Sequence, residues 1–297
     1  IAFINKMDRV GADFNNAVHE LRDKLDAYAY PVAIPIGSED SLCGIVDVIS
    51  QKAFMHDLTD ESGTKYTIDE VPEDLREDSQ LALTELIESV ANKDDAIAEL
   101  VIEEKPVAPT QLKQAIRRLT IANEFVPVLG GSAFKKRGVQ PLVDAVIDYL
   151  PSPTEVKPQP EVDLEGNETG EVAVVDKDKP LRALAFKIMD DQYGALTFTR
   201  IYSGRLQKGT MILNTFTGKT ERVGRIVEMH ADDRKELDEA QAGDIVALLG
   251  LKNVQTGHTL CDEKNPATLE PMVFPDPVIS MAIHPSEVGQ ADKLGVA

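Results

Sequence analysis

The spacing of apolar residues changes once along the chain, and the change falls at Pro151-Ser152-Pro153. Before this point, short apolar runs alternate with stretches in which apolar residues recur every three or four positions. After Leu181, short alternating runs follow one another at intervals of roughly ten residues. A period of two and a period of 3.6 cannot share one element. The chain must therefore hold two architectures, an α/β part and then an all-β part. With 297 residues it has room for both and for the start of a third.

In the first part, Ala2-Phe3-Ile4 reads as a strand that ends in Asn5-Lys6-Met7-Asp8, and Val18, Leu21 and Leu25 follow at helical spacing. Residues 31–36, 44–50 and 51–56 read as further strands. Pro72 opens a long helix with the apolar stripe Leu75, Leu81, Leu83, Leu86, Ile87 and Val90. Shorter helices are expected at 96–102 and 110–122. Residues 125–129 form a strand that runs into Gly130-Gly131-Ser132-Ala133, and 139–150 form a helix. Residues 151–180 lose all periodicity and read as a linker. Strands at 182–189, 195–203, 210–214, 221–229 and 244–249 make the pattern of a closed β-barrel. A last strand is expected at 277–284.

The four residues after the first strand carry the chemistry. They stand where ligands bind in open α/β sheets, beyond the carboxyl end of a strand and just before a helix. The Asp8 carboxylate can accept from two adjacent donors, such as the ring N1–H and 2-amino group of guanine. Adenine has neither donor and would leave Asp8 unpaired, at a cost of about 1–3 kcal/mol. The Lys6 stem can lie over a flat base with its ammonium in water. The Asn5 amide can brace the loop. Ser132 and Ala133 are small, so a backbone N–H there can approach the guanine carbonyl.

Composition narrows the remaining options. The net charge is −20, which argues against broad affinity for nucleic acid or anionic lipid. Residues 57–104 hold 16 acidic and 3 basic residues, so most of the acidity sits in one module. That module is either a solvated helical face or a docking face for a basic partner. No run of about 18 apolar residues exists to span a membrane. Cys43 and Cys261 lie far apart without metal-ligand spacing, as expected of reduced thiols in a cytoplasmic protein. The five histidines show no metal pattern either.

Several longer runs together resemble elongation factor G. They are Phe3-Ile4-Asn5-Lys6-Met7-Asp8-Arg9 with Gly11-Ala12-Asp13-Phe14, Pro35-Ile36-Gly37 leading to Gly44-Ile45-Val46-Asp47, and Gly131-Ser132-Ala133-Phe134-Lys135. The run from Asp144 to Pro153, Tyr202-Ser203-Gly204, Gly243-Asp244-Ile245-Val246-Ala247 and Phe274-Pro275-Asp276-Pro277-Val278 extend it nearly end to end. The resemblance implies the C-terminal part of a P-loop-type GTPase domain at 1–30 and 123–150, with an inserted α+β subdomain at 31–122. A translation-factor β-barrel at 181–272 and the start of a third domain at 273–297 would follow. It also implies that Asn5, Lys6, Asp8, Ser132 and Ala133 bind guanine in GTP or GDP. The ribosome is the implied partner, its stalk protein through the acidic insert and its RNA through the barrel. Arg182, Lys187, Arg200, Arg205, Lys208, Arg222 and Arg225 are the candidate RNA contacts.

A working GTPase also needs a phosphate cradle and a Mg²⁺ site. No Gly-x-x-x-x-Gly-Lys-Ser/Thr occurs in the sequence, and Gly218-Lys219-Thr220 has Leu213 where the first glycine belongs. In the family these parts and the catalytic histidine precede the Asn5 motif. The 297 residues by themselves are therefore expected to bind guanine nucleotide weakly and not to hydrolyse it. The strand at Ala2–Ile4 is expected at an open edge, because its other family neighbour also lies upstream. Two alternatives stay open: a ribosome-protection or release-factor-like GTPase, and a non-enzymatic ribosome-binding module.

Overall fold

In the computed structural model, residues 1–60, 62–191, 194–231, 233–269, 276 and 278–285 are described. Two compact units emerge, Ile1–Val156 and Lys157–Ala297.

The first unit runs β1 (Ala2–Ile4), α1 (Phe14–Leu25), β2 (Ala29–Pro31), β3 (Ala33–Ile36), β4 (Gly44–Asp47), β5 (Lys52–His56), β6 (Tyr66–Glu70), α2 (Arg76–Ala91), α3 (Asp95–Ile102), α4 (Pro109–Ile121), β7 (Val126–Gly130) and α5 (Val139–Tyr149). Three parallel strands lie in the order β1-β7-β2, and β3-β4-β5-β6 form an antiparallel meander. β1 and β2 are the edges of the parallel sheet. Pro31, which has no N–H to give to a ladder, sits on such an edge.

Local sequence explains the helix ends. The Asp13 carboxylate accepts the Asn16 N–H at 2.9 Å and starts α1, and Arg22 and Lys24 stand at its C-terminal turn. Asp94 caps α3 in the same way, and Pro109 opens α4 at a position where the missing N–H costs nothing. Leu112, Ala115, Ile116 and Leu119 of α4 pack with Leu86, Val90, Ile45 and Leu129 in one continuous core. The helices α2, α3 and α4 thus share a core with the parallel sheet.

Three expectations for this unit are corrected. Residues 31–36 are not one strand. Val32 donates to Val128 O at 2.9 Å and accepts from Val48 at 3.0 Å, so the chain changes sheets there. The strand from Gly44 ends at Asp47, because the Asp47 carboxylate accepts the N–H groups of Ile49 and Ser50 and turns the chain. Pro72 does not open the long helix. It is extended (φ −49, ψ 143) before a 3₁₀ turn at Glu73–Leu75, and α2 begins at Arg76. Leu81 of the expected stripe is 57% exposed, while Leu86 and Val90 are buried.

The second unit runs β8 (Gln159–Val162), β9 (Glu168–Ala173), β10 (Arg182–Asp191), β11 (Gly194–Ser203), β12 (Arg205–Gln207), β13 (Met211–Asn214), β14 (Lys219–Arg222), β15 (Arg225–His230), β16 (Asp233–Leu237), β17 (Glu239–Gln241), β18 (Ile245–Leu249), β19 (Thr259–Cys261) and β20 (Thr268–Leu269). Eight strands lie in the order β14-β13-β19-β10-β11-β18-β15-β16, and β12 pairs β17. The expected strand at 221–229 is a bent segment that closes this sheet. Before the bend β14 pairs β13, and after it β15 pairs β18. At the bend Val223 donates to Thr210 O (3.0 Å), and Gly224 donates to Leu249 O (3.1 Å). A Cβ on Gly224 would stand 2.7 Å from Leu249 O, so glycine is required where the two sides meet. Ile201, Ile212, Ile226, Leu248 and Leu260 fill the interior.

The expected linker at 151–180 is also corrected. β8 and β9 form a hairpin inside it, and β8 pairs β20. The Asp163 carboxylate accepts N–H groups of Glu165 and Asn167 at its turn. Residues 278–284 form no strand and are exposed. Pro277 and most of the expected third-domain segment at 273–297 lie outside the described residues. Both cysteines are free thiols. Among the described residues, no helix is long and apolar enough to cross a membrane.

Candidate functional site

β1 and β7 run parallel in register, with Ile4 opposite Gly130, so the chain leaves both strands at the same end of the sheet. The two loops are then tied to each other. Gly131 donates to Ile4 O and Met7 donates to Gly131 O, each at 3.0 Å. The Asn5 side-chain oxygen accepts the Lys6 N–H at 2.8 Å and the Ala133 N–H at 3.0 Å. Lys6 adopts a left-handed conformation (φ 63), which tightens the turn and leaves its side chain exposed. Met7 is 2% exposed and anchors the loop in the core beside Phe14, Val18 and Ala29.

Asp8 completes the constellation. The buried Ser132 hydroxyl is bonded to the Asp8 carboxyl and holds it below the usual carboxylate range; Arg9 and Lys135 add smaller electrostatic support. Asp8 is therefore ionised at neutral pH and offers acceptors only. All five expected residues lie on the two loops joined by these bonds: Asn5, Lys6, Asp8, Ser132 and Ala133. The Ala133 N–H already donates to Asn5, so a purine carbonyl placed there must share that donor or displace the amide.

The second loop is a tight hairpin. Ser132 and Arg137 exchange both backbone hydrogen bonds at 2.9 Å, and Lys135 N–H reaches the Ser132 hydroxyl at 3.1 Å. A Cβ on Gly131 would stand 2.3 Å from Arg137 O, which excludes any larger residue before Ser132. The loop is buttressed by residues that sequence reasoning did not single out. Glu39 donates its N–H to Met7 O and accepts the Gly11 N–H on its carboxylate at 2.7 Å. Arg137 bonds Leu42 O, and His56 accepts the Gly138 N–H. These partners lie dozens of residues away from the motifs and carry no local signal.

Gly218-Lys219-Thr220 lies in the second unit, at the turn between β13 and β14, with Gly218 N–H bonded to Asn214 O. It cradles nothing. Among the described residues, no group of three or more His, Cys, Asp or Glu side chains is placed to hold a metal ion. Of the expected RNA contacts, Arg182 is withdrawn: it is buried and ion-paired with Glu161 at 3.0 Å. Arg205 and Lys208 pair with Asp178 and Glu236. Lys187, Arg222 and Arg225 are exposed.

Residues 1–152 match the family model described as elongation factor Tu GTP binding domain, and residues 194–261 match elongation factor Tu domain 2. Elongation factor G 1 of Methylococcus capsulatus is 58% identical over 300 residues, covering 100% of this chain and 43% of that protein. Elongation factor G 2 of Trichodesmium erythraeum is 57% identical, with 100% and 42% covered. The chain thus spans less than half the length of these relatives. A crystal structure of a Thermus thermophilus protein superposes with a TM-score of 0.75 at 25% identity, over 99% of this chain and 41% of that one.

Proposed function

Because the chain belongs to the family of the elongation factor Tu GTP-binding domain, we propose that its two tied loops read the guanine base for a translation elongation GTPase of the elongation factor G type. Asp8 accepts from the base N1–H and 2-amino group, Lys6 covers one face, and Asn5 fixes the loop beneath. The observation that supports this most directly is the pair of ties between the loops, from the Ala133 N–H to Asn5 and from Ser132 to Asp8. These ties hold the carboxylate and the small-residue turn within reach of one flat ligand.

The residues present fit the base and not the rest of a nucleotide. Phosphates and Mg²⁺ supply most of the affinity in such proteins, and none of these residues is suited to hold them. The 297 residues alone then bind guanine weakly and do not turn over GTP. Calorimetry with GDP is expected to show millimolar rather than micromolar binding, since a few base contacts of about 1.5–3 kcal/mol each cannot replace the phosphate site. Sub-micromolar binding would mean that a phosphate site lies elsewhere in this chain.

The ribosome is the proposed partner and the cytoplasm the proposed location. The acid-rich segment supports a docking role, since β6 is exposed along its whole length and Glu73, Asp74, Glu77 and Asp78 are exposed just before and at the start of α2. Lys187, Arg222 and Arg225 offer the second unit to RNA. Co-sedimentation with ribosomes is expected at low salt and to fall steeply as salt rises. A chain that stays in the supernatant at every salt concentration would remove the docking role.

A further inference from the structure

Besides the contacts of Glu39 and Leu42, the insert meets the proposed base-reading loops at the tip of the β5–β6 hairpin. His56, the last residue of β5, is 9% exposed, and its Nε2 accepts the Gly138 N–H at 3.3 Å. An accepting Nε2 requires the ring proton to sit on Nδ1, yet Nδ1 is buried and has no hydrogen-bond partner. A ring that leaves one polar atom unsatisfied is a poor choice for mere packing. What it provides is the Nε2 acceptor for the amide just before α5. A second tie lies beside it: the Gln140 side-chain amide donates to Gly63 O at 2.7 Å. A Cβ on Gly63 would stand 2.3 Å from the Lys136 Cβ, so the tip rests directly on the loop. The tip is itself held rigid by Asp60, whose carboxylate accepts the N–H groups of Ser62, Thr64 and Lys65.

We propose that the β5–β6 hairpin braces the loop that carries Ser132 and Ala133, and that His56 is the positioning residue through which it acts. The inference rests on the reading of that loop as part of the guanine site. The path is short. Gly138 follows Arg137, Arg137 exchanges two backbone hydrogen bonds with Ser132, and Ala133 comes next. A displacement of the Gly138 amide is passed to the donor and hydroxyl that face the base.

The brace holds only while His56 is neutral. Around the ring stand Arg137 from the loop and Tyr66 from β6, with its ring centroid 6.1 Å away. Among the described residues, no carboxylate acts on the ring. Burial first, and Arg137 second, push the His56 pKa below its ordinary value. A folded-state pKa lowered in this way favours the neutral ring. Its contribution to stability is complete above about pH 6.5 and is lost as pH falls through the lower folded value.

The test uses the full chain, ¹⁵N-labelled, with guanosine as the probe. In the wild type, the amides of Ser132, Ala133 and Gly138 are expected to shift together with one midpoint below about pH 6.5. Guanosine binding is expected to weaken through the same midpoint. His56→Phe keeps a ring without an acceptor; it should weaken guanosine binding about tenfold at about pH 7.5 and abolish the midpoint. His56→Gln supplies an acceptor that does not titrate, so it should restore binding and leave it independent of pH. Amides that ignore the His56 titration in the wild type would overturn the brace, whether or not the variants fold. A wild type that binds no guanosine while those amides still titrate would overturn the base site and leave the brace standing.

Discussion

Asp8→Asn is expected to move the base preference from guanine to xanthine by about a hundredfold. The carboxylate at position 8 is kept ionised by the Ser132 hydroxyl, so it presents only acceptors. Guanine presents two donors in a row, N1–H and the 2-amino group. Hydrogen bonds to a charged group are each worth about 1.5–3 kcal/mol. Asn retains one acceptor and places an N–H against the 2-amino group, donor against donor. Xanthine carries an oxygen at that position and accepts this N–H. The swing is one charge-assisted bond plus an unpaired donor, about 3 kcal/mol or a hundredfold in relative affinity. The substitution preserves shape, and its side-chain oxygen can still take the Ser132 hydroxyl, so the loops stay tied. Competition between GDP and the xanthine analogue on the full chain, followed at the amides of Lys6 and Ala133, measures the ratio. An unchanged order of the two ligands would detach Asp8 from the base.

Glu161→Ala should unfold the second unit at a temperature lower by roughly 10 °C or more. The Glu161–Arg182 pair is 3.0 Å apart, with side-chain exposures of 8% and 7%. The guanidinium also donates to Leu181 O and Asn265 O, while its Nε has no partner. Removing the carboxylate leaves a buried charge with only those two carbonyls for company. Breaking such a pair from one side costs about 3–5 kcal/mol. In a unit of this size each kcal/mol lowers the midpoint by roughly 3 °C. Replacing both partners with apolar residues of similar volume, Glu161→Leu with Arg182→Met, should recover most of the loss, because no charge is then left behind. Breaking the exposed pairs Arg205–Asp178 and Lys208–Glu236 should leave the midpoint nearly unchanged. Thermal unfolding followed by circular dichroism decides the matter. A loss below about 1 kcal/mol for Glu161→Ala would mean that water reaches the pair.

The same pair shows why the hairpin at β8 and β9 is hidden in the sequence. β9 is Glu-Thr-Gly-Glu-Val-Ala, and all but its last residue are exposed, so its strand has no apolar period to betray it. Its pairing comes from the backbone and from the Asp163 turn, while the Glu161–Arg182 ion pair joins its partner β8 to β10. Val32 is hidden for a similar reason. It carries an ordinary strand residue type, and its change of sheet is written in bonds to Val128 and Val48. Residues 278–284 show the converse, a largely apolar run in which no strand forms.

The residues proposed to face the base are legible because their roles are local. Asn5, Lys6 and Asp8 occupy a single turn, and their side-chain chemistry is specified by type and spacing alone. The same holds for the ten-residue rhythm of the barrel strands. Tertiary structure alone decided what holds that turn in place: Ser132 on Asp8, Ala133 on Asn5, Glu39 beneath Gly11 and Met7, and His56 behind Gly138. A side chain's reach is a few ångströms, so residues distant in sequence act on one another only after the chain has brought them together. Periodicity along the sequence carries no record of which distant partner arrives.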